Sequence, residues 1–154
     1  MRQAIVAGAI AVAALNLASG LTGSLLWYRG SPDGRAARAF WGLLRIGQGS
    51  VLALAIVVGS AAAAGKSSSE GLFYLYALLP LAVAFVAEQL RVLSAQTILD
   101  QRGLADAAAV GALPEDEQRG VVEGILRREI GVMAISALVV VFLALRAAGT
   151  AHGF

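Results

Sequence analysis

Apolar residues fall in four long stretches along this chain, separated by short clusters of glycine, serine, proline and charge. A run of roughly 20 apolar residues crosses a bilayer as a helix. The pattern places such spans over 4–28, 40–64, 71–99 and 118–147. The predicted fold is therefore an all-α, four-transmembrane-helix bundle made of two helical hairpins, with no separate soluble domain.

The first span carries one mid-span amide, Asn16, and ends in Trp27-Tyr28-Arg29, which suits a membrane–water boundary. Arg2, the apolar run and the small residues Ala18-Ser19-Gly20 also read as a cleaved signal peptide, but the apolar character continues to Leu26, long for such a segment. Ser31-Pro32-Asp33-Gly34 is expected to turn the chain into the second helix, with Ser31 as cap and Pro32 in the first turn. Gly47, Gly49 and Ser50 give that helix a small-residue surface. Such faces on spans one and two are expected to meet other subunits. Gly65 should end the second helix, and Ser67 with Glu70 three residues later has capping-box spacing for the third. Pro80 takes one hydrogen bond out of the third ladder. The connection 100–117 can hold a short interfacial helix over 104–110. Pro114-Glu115-Asp116-Glu117 then starts the last helix, with acids at the positive end of its dipole. Glu123 and Arg127 are spaced for an i,i+4 pair.

Composition agrees with the pattern: 58% of the 154 residues are hydrophobic and 14% charged, against about 25% charged in soluble domains. Cysteine is absent and the one histidine is His152, so thiol chemistry and histidine-pair metal or haem sites are not expected, and no cofactor is called for. A net charge of +2 is too small to suggest nucleic-acid binding. The basic residues speak to topology instead. Arg29, Arg35, Arg38, Arg102, Arg119, Arg127 and Arg128 lie on the side of the first and third connections; Arg2, Lys66 and Arg146 lie on the other. The positive-inside rule puts loops 29–39 and 100–117 in the cytoplasm and both termini outside.

The halves align in part. Asn16-Leu17 through Trp27-Tyr28-Arg29-Gly30 matches Gln89-Leu90 through Asp100-Gln101-Arg102-Gly103, and Gly42-Leu43-Leu44-Arg45 matches Gly124-Ile125-Leu126-Arg127. A duplicated hairpin would give a parallel repeat about an axis along the membrane normal. Chance similarity between Leu/Ala/Arg-rich helices is the alternative.

The chemistry concentrates in Ala87-Glu88-Gln89-Leu90-Arg91 through Gln96, which continues the apolar run of span three. An ionisable group at membrane depth marks a functional site by default. Arg45 and Gln48 in span two, Arg127 in span four and Asn16 in span one are the expected neighbours, with Glu88 to Arg45 the expected interhelical pair. A cluster of register-fixing ion pairs that binds nothing is the competing reading. Catalytic residues and metal ligands are not visible: no nucleophile–base arrangement, phosphate loop or carboxylate cluster occurs. One carboxylate beside arginines and amides next to lipid suits an amphiphile with an acidic head, a quinone-like molecule or a proton.

In size and span number the chain is similar to the membrane-associated eicosanoid and glutathione enzymes, which are four-span trimers with sites between helices near one interface. Glu88, Arg91 and Gln96 share a helix as an acid, an arginine and an amide do in that family. The spacing departs from the family's, and its second basic and aromatic set is missing here. The resemblance implies a glutathione-transferase-like membrane enzyme as one alternative, beside a proton- or ion-conducting oligomer. The leading expectation is non-enzymatic: an accessory subunit, or a binder or carrier of a small or lipid-like ligand. Expected partners are the lipid bilayer, further copies or a larger membrane complex, and an amphiphilic small molecule.

Overall fold

A computed structural model describes residues 1–30, 32 and 34–152. Among these the chain forms α1 (Arg2–Arg29), α2 (Gly34–Ala63), α3 (Gly71–Gln101), the short α4 (Ala107–Gly111) and α5 (Glu115–Thr150), with no strand. The helices α1, α2, α3 and α5 are long and apolar enough to cross a membrane, so the fold is the four-span helical bundle of a multi-pass membrane protein.

Local chemistry accounts for the helix ends. Gly30 leaves α1 in the left-handed conformation, φ 64°, and its N–H donates to the carbonyls of Leu26 and Trp27. Gly103 turns the chain after α3 in the same conformation, φ 67°. A side chain with Cβ would strain either turn. The Asp106 carboxylate caps α4, accepting from the Ala109 N–H at 2.8 Å. Pro114 stands in the N-cap position of α5 rather than inside its first turn, with Glu115, Asp116 and Glu117 following. The expected Ser31 cap lies outside the described residues.

The capping box expected from Ser67 and Glu70 does not form. Glu70 itself occupies the N-cap of α3 and makes no side-chain cap bond. Ser68 Oγ instead accepts from the Glu70 N–H and donates to the His152 carbonyl at 2.8 Å. The serines are drawn to the C-terminal end of the chain, which offers unpaired carbonyls that the helix start does not. The Ser69 N–H also donates to the His152 carbonyl, and Arg2 Nε to that of Ala151, both at 3.0 Å. The end of the bundle holding both termini is thus closed by backbone and side-chain hydrogen bonds.

Around the bundle the order is α2, α1, α5, α3. Helix α5 packs closely on both α1 and α3, α1 packs on α2, and α2 meets α3 only lightly. Two apolar clusters form the interior. Ile5, Val12, Val51, Val58, Phe73 and Val140 fill the half near the termini; Leu26, Phe40, Leu44, Ile130 and Met133 fill the other. Close approach of α1 to α5 depends on glycine. A Cβ on Gly23 would lie 2.5 Å from the Phe40 ring and 2.8 Å from Ala134 Cβ, and one on Gly20 would lie 2.7 Å from Leu138. A Cβ on Gly131 would meet the Trp27 ring at 3.0 Å. The small-residue face of span one is therefore consumed inside the chain, not held for another subunit. Gly47 on α2 receives Asn16 in the same way, while Gly49 stays open.

Two outcomes follow from this packing. Gly23→Ala should lower stability by about 1–3 kcal/mol through overpacking, whereas Gly49→Ala should be neutral or slightly stabilising; thermal unfolding in detergent separates them. Ser19 is fully buried and its hydroxyl finds no hydrogen-bond partner among the described residues. Ser19→Ala removes that orphan and should leave stability unchanged or raise it by up to about 1 kcal/mol in the same assay.

Candidate polar site between three helices

Helical periodicity puts Trp41, Arg45 and Gln48 on one side of α2, spaced four and three residues apart. Glu88 and Arg91 share a face of α3 three residues apart. The light packing between these helices leaves a seam into which those side chains project. Glu88 organises it. Its Oε1 accepts from Arg45 Nη1 at 2.6 Å and from Gln48 Nε2 at 3.0 Å, and its Oε2 accepts from Arg91 Nε at 2.9 Å. Arg45 Nη1 also donates to Gln48 Oε1 at 2.7 Å, which fixes the amide so that its NH2 points at the carboxylate. Arg91 continues to α5, with its Nη1 3.6 Å from Glu129 Oε2, and its guanidinium lies 5.6 Å from the centre of the Trp41 ring. The cluster holds two arginines and two carboxylates and joins α2, α3 and α5.

Its depth follows from helix length. Counting 1.5 Å per residue, Glu88 lies about 26 Å from the Gly71 end of α3 and Arg45 about 27 Å from the Ala63 end of α2. Both fall within the roughly 30 Å of a hydrocarbon core, toward the end where the 102–114 connection lies. Burial is uneven. The Glu88 side chain keeps 26% of its surface, Arg91 30% and Glu129 16%, but Arg45 keeps 53%. The open side of the site is the Arg45 guanidinium, whose Nε and Nη2 bond no described residue.

Of the residues singled out by sequence, Arg45, Gln48, Glu88 and Arg91 meet in this cluster and the other four do not. Asn16 is buried against Gly47, its amide donating to the Val12 carbonyl at 2.9 Å, so it works in the α1–α2 contact. Gln89 points away from the bundle and is exposed. Gln96 is exposed and donates to Asp100 Oδ1 at 2.9 Å, one turn along α3. Arg127 Nε donates to the Trp27 carbonyl at 3.2 Å, with its guanidinium 5.9 Å from the Trp27 ring, and so ties α5 to α1 instead of pairing with Glu123. Glu129, which the sequence places with Arg127 and Arg128 at the inner end of span four, joins the cluster through Arg91, and Trp41 is a member that the sequence reading passed over. The i,i+4 spacing of Trp41 to Arg45 was the available signal for it.

An apolar groove of about 460 Å³ runs between α3 and α5, lined by Leu79, Val83, Val86, Leu90, Val132 and Ile135. Its α3 positions lie on the opposite side of the helix from Glu88 and Arg91. Comparison with family models, with curated proteins and with solved structures finds no match to this chain.

The hydrogen bonding sets the expected response to mutation. Glu88→Gln removes the negative charge and one of the two acceptor oxygens between the Arg45 and Arg91 guanidinium groups, and should cost about 1–3 kcal/mol. A double-mutant cycle of Arg45→Met with Glu88→Gln should return a coupling energy clearly above zero, because the pair is partly shielded from water. Denaturant unfolding in mixed micelles measures both.

Proposed function

We propose that this chain is a non-enzymatic multi-pass membrane protein that binds an amphiphile with an anionic head at the Arg45–Glu88–Arg91 cluster, as a carrier or an accessory subunit. The observation that supports this reading is Arg45. Its guanidinium already fixes Glu88 and Gln48 through one nitrogen, and the remaining N–H groups bond no described residue on a side chain that is half exposed. Two parallel N–H donors match the oxygens of a phosphate or carboxylate head. The seam beyond the cluster suits a tail. Leu52 on α2, one turn past Gln48, is exposed, and Ala84 and Leu81 on α3 carry the apolar surface on from Glu88. The distribution of arginine puts the site in the cytoplasmic leaflet, with loops 29–39 and 100–117 inside and both termini outside.

The conducting alternative asks Glu88 to exchange a proton or cation, yet three donors occupy its two oxygens and leave little acceptor capacity. The transferase-like alternative would draw on Glu88, Arg91 and Gln96 together, and Gln96 is engaged elsewhere. Native mass spectrometry of the detergent-purified protein with added phosphatidylglycerol or phosphatidylcholine tests the proposal. Retention of the anionic lipid is expected, with a loss of about tenfold in Arg45→Ala, the scale of one charge-assisted hydrogen bond. Equal retention of both lipids, or no change in Arg45→Ala, refutes it. Turnover of a glutathione conjugate would favour the enzyme, and liposome proton flux abolished by Glu88→Gln the conductor.

A further inference from the structure

The outward face of α3 carries a coiled-coil register. Leu78, Ala82, Phe85, Gln89, Val92 and Gln96 follow one another at alternating spacings of four and three residues, and every one of them is exposed. Apolar side chains on this face suit lipid and mark nothing by themselves. Gln89 does not suit lipid. It lies about 27 Å from the Gly71 end of α3, inside the span by length. Its amide makes no hydrogen bond to any described residue, and the exposed side chains on its flanks are Phe85, Val86, Val92 and Leu93. A primary amide in that setting leaves two donors and an acceptor unmatched, whereas polar residues within spans normally join helices.

From these observations we infer that a second copy of this chain packs on α3, with Gln89 meeting Gln89 across a two-fold axis along the membrane normal. Two copies inserted the same way bring identical positions of parallel helices together, which is the geometry of a left-handed coiled coil. An amide is self-complementary there: each carbonyl accepts from the other's NH2. Gln96, seven residues on, occupies the same heptad position, with its amide already donating to Asp100, so Gln89 alone carries the pairing. The sequence match between the halves adds an independent observation. At the offset that pairs Asn16 with Gln89, the six α3 positions correspond to Ile5, Ala9, Val12, Asn16, Ser19 and Gly23. All six of those are buried inside the bundle. The face that α1 covers within one chain is the face that α3 leaves open, and a partner helix gives it the same cover.

The chain has no cysteine, so single cysteines report on this contact directly. In native membranes, oxidation of Phe85→Cys and Val92→Cys should give a disulfide-linked dimer of this chain, and Ile56→Cys on α2 and Ile135→Cys on α5 should not. Gln89→Leu, on an exposed position that leaves the fold intact, should weaken the dimer about fivefold to tenfold by energy transfer between labelled copies in liposomes, as expected for one amide pair in lipid. Absence of crosslinking above the α2 and α5 controls overturns the inference, as does crosslinking only to a different protein or a dimer unchanged by Gln89→Leu. The lipid-retention result leaves this outcome unaffected, since Gln89 takes no part in the cluster.

Discussion

A carboxylate in the wall of an apolar bundle must find donors or leave the membrane, and the place of Glu88 in this protein follows from that. Its oxygens take bonds from two helices at once, and Arg91 carries the link to a third. The seam between α2 and α3 has little close packing of its own, so this network, more than apolar contact, sets how those helices sit beside each other. Ion pairs of this kind add less to stability than to position, because desolvation offsets much of their attraction. Half of the Arg45 side chain remains exposed, which reduces the offset there and leaves the guanidinium with donors to spare.

Much of the fold was legible in the sequence because a bilayer imposes a length and a composition that few other structures share. The four spans, Gly65 at the end of α2, and acids at the start of α5 follow from backbone chemistry. The polar cluster was partly legible for a related reason: Glu88 and Arg91 stand out in an apolar run, and Arg45 with Gln48 is the counterpart on the neighbouring helix. Side-chain direction was not legible. Gln89 is one residue from Glu88 but some 100° around the helix, and only the packing of α3 on α5 decides which of the two points inward. Arg127 illustrates a second limit. Its local i,i+4 partner was available, yet the carbonyl and ring of Trp27 on another helix win. The serines after Gly65 show a third, since the chain's own C-terminal end, distant in sequence, takes the place of the helix start as their partner.

The two hairpins share sequence matches and turn conformations but not their surroundings. Glycine on α1 and α5 lets those helices approach until a single added methyl would collide. At the matching junction between α2 and α3, larger side chains and the charged cluster keep the helices apart. One junction is sealed by small residues and the other is spanned by hydrogen bonds, so the protein has a closed side and an open side although its halves look alike on paper.

The central place of α5 also bears on how the protein is made. Helices α1 and α3 have no substantial contact with each other, and both rest on α5, which follows them in chain order. Until that span emerges from the ribosome, the first three can form only the α1–α2 hairpin and the loose seam. The glycine faces of α1 and the buried side of α3 must wait in lipid or against the insertion machinery. Insertion of α5, rather than of any earlier span, is the step at which this bundle closes.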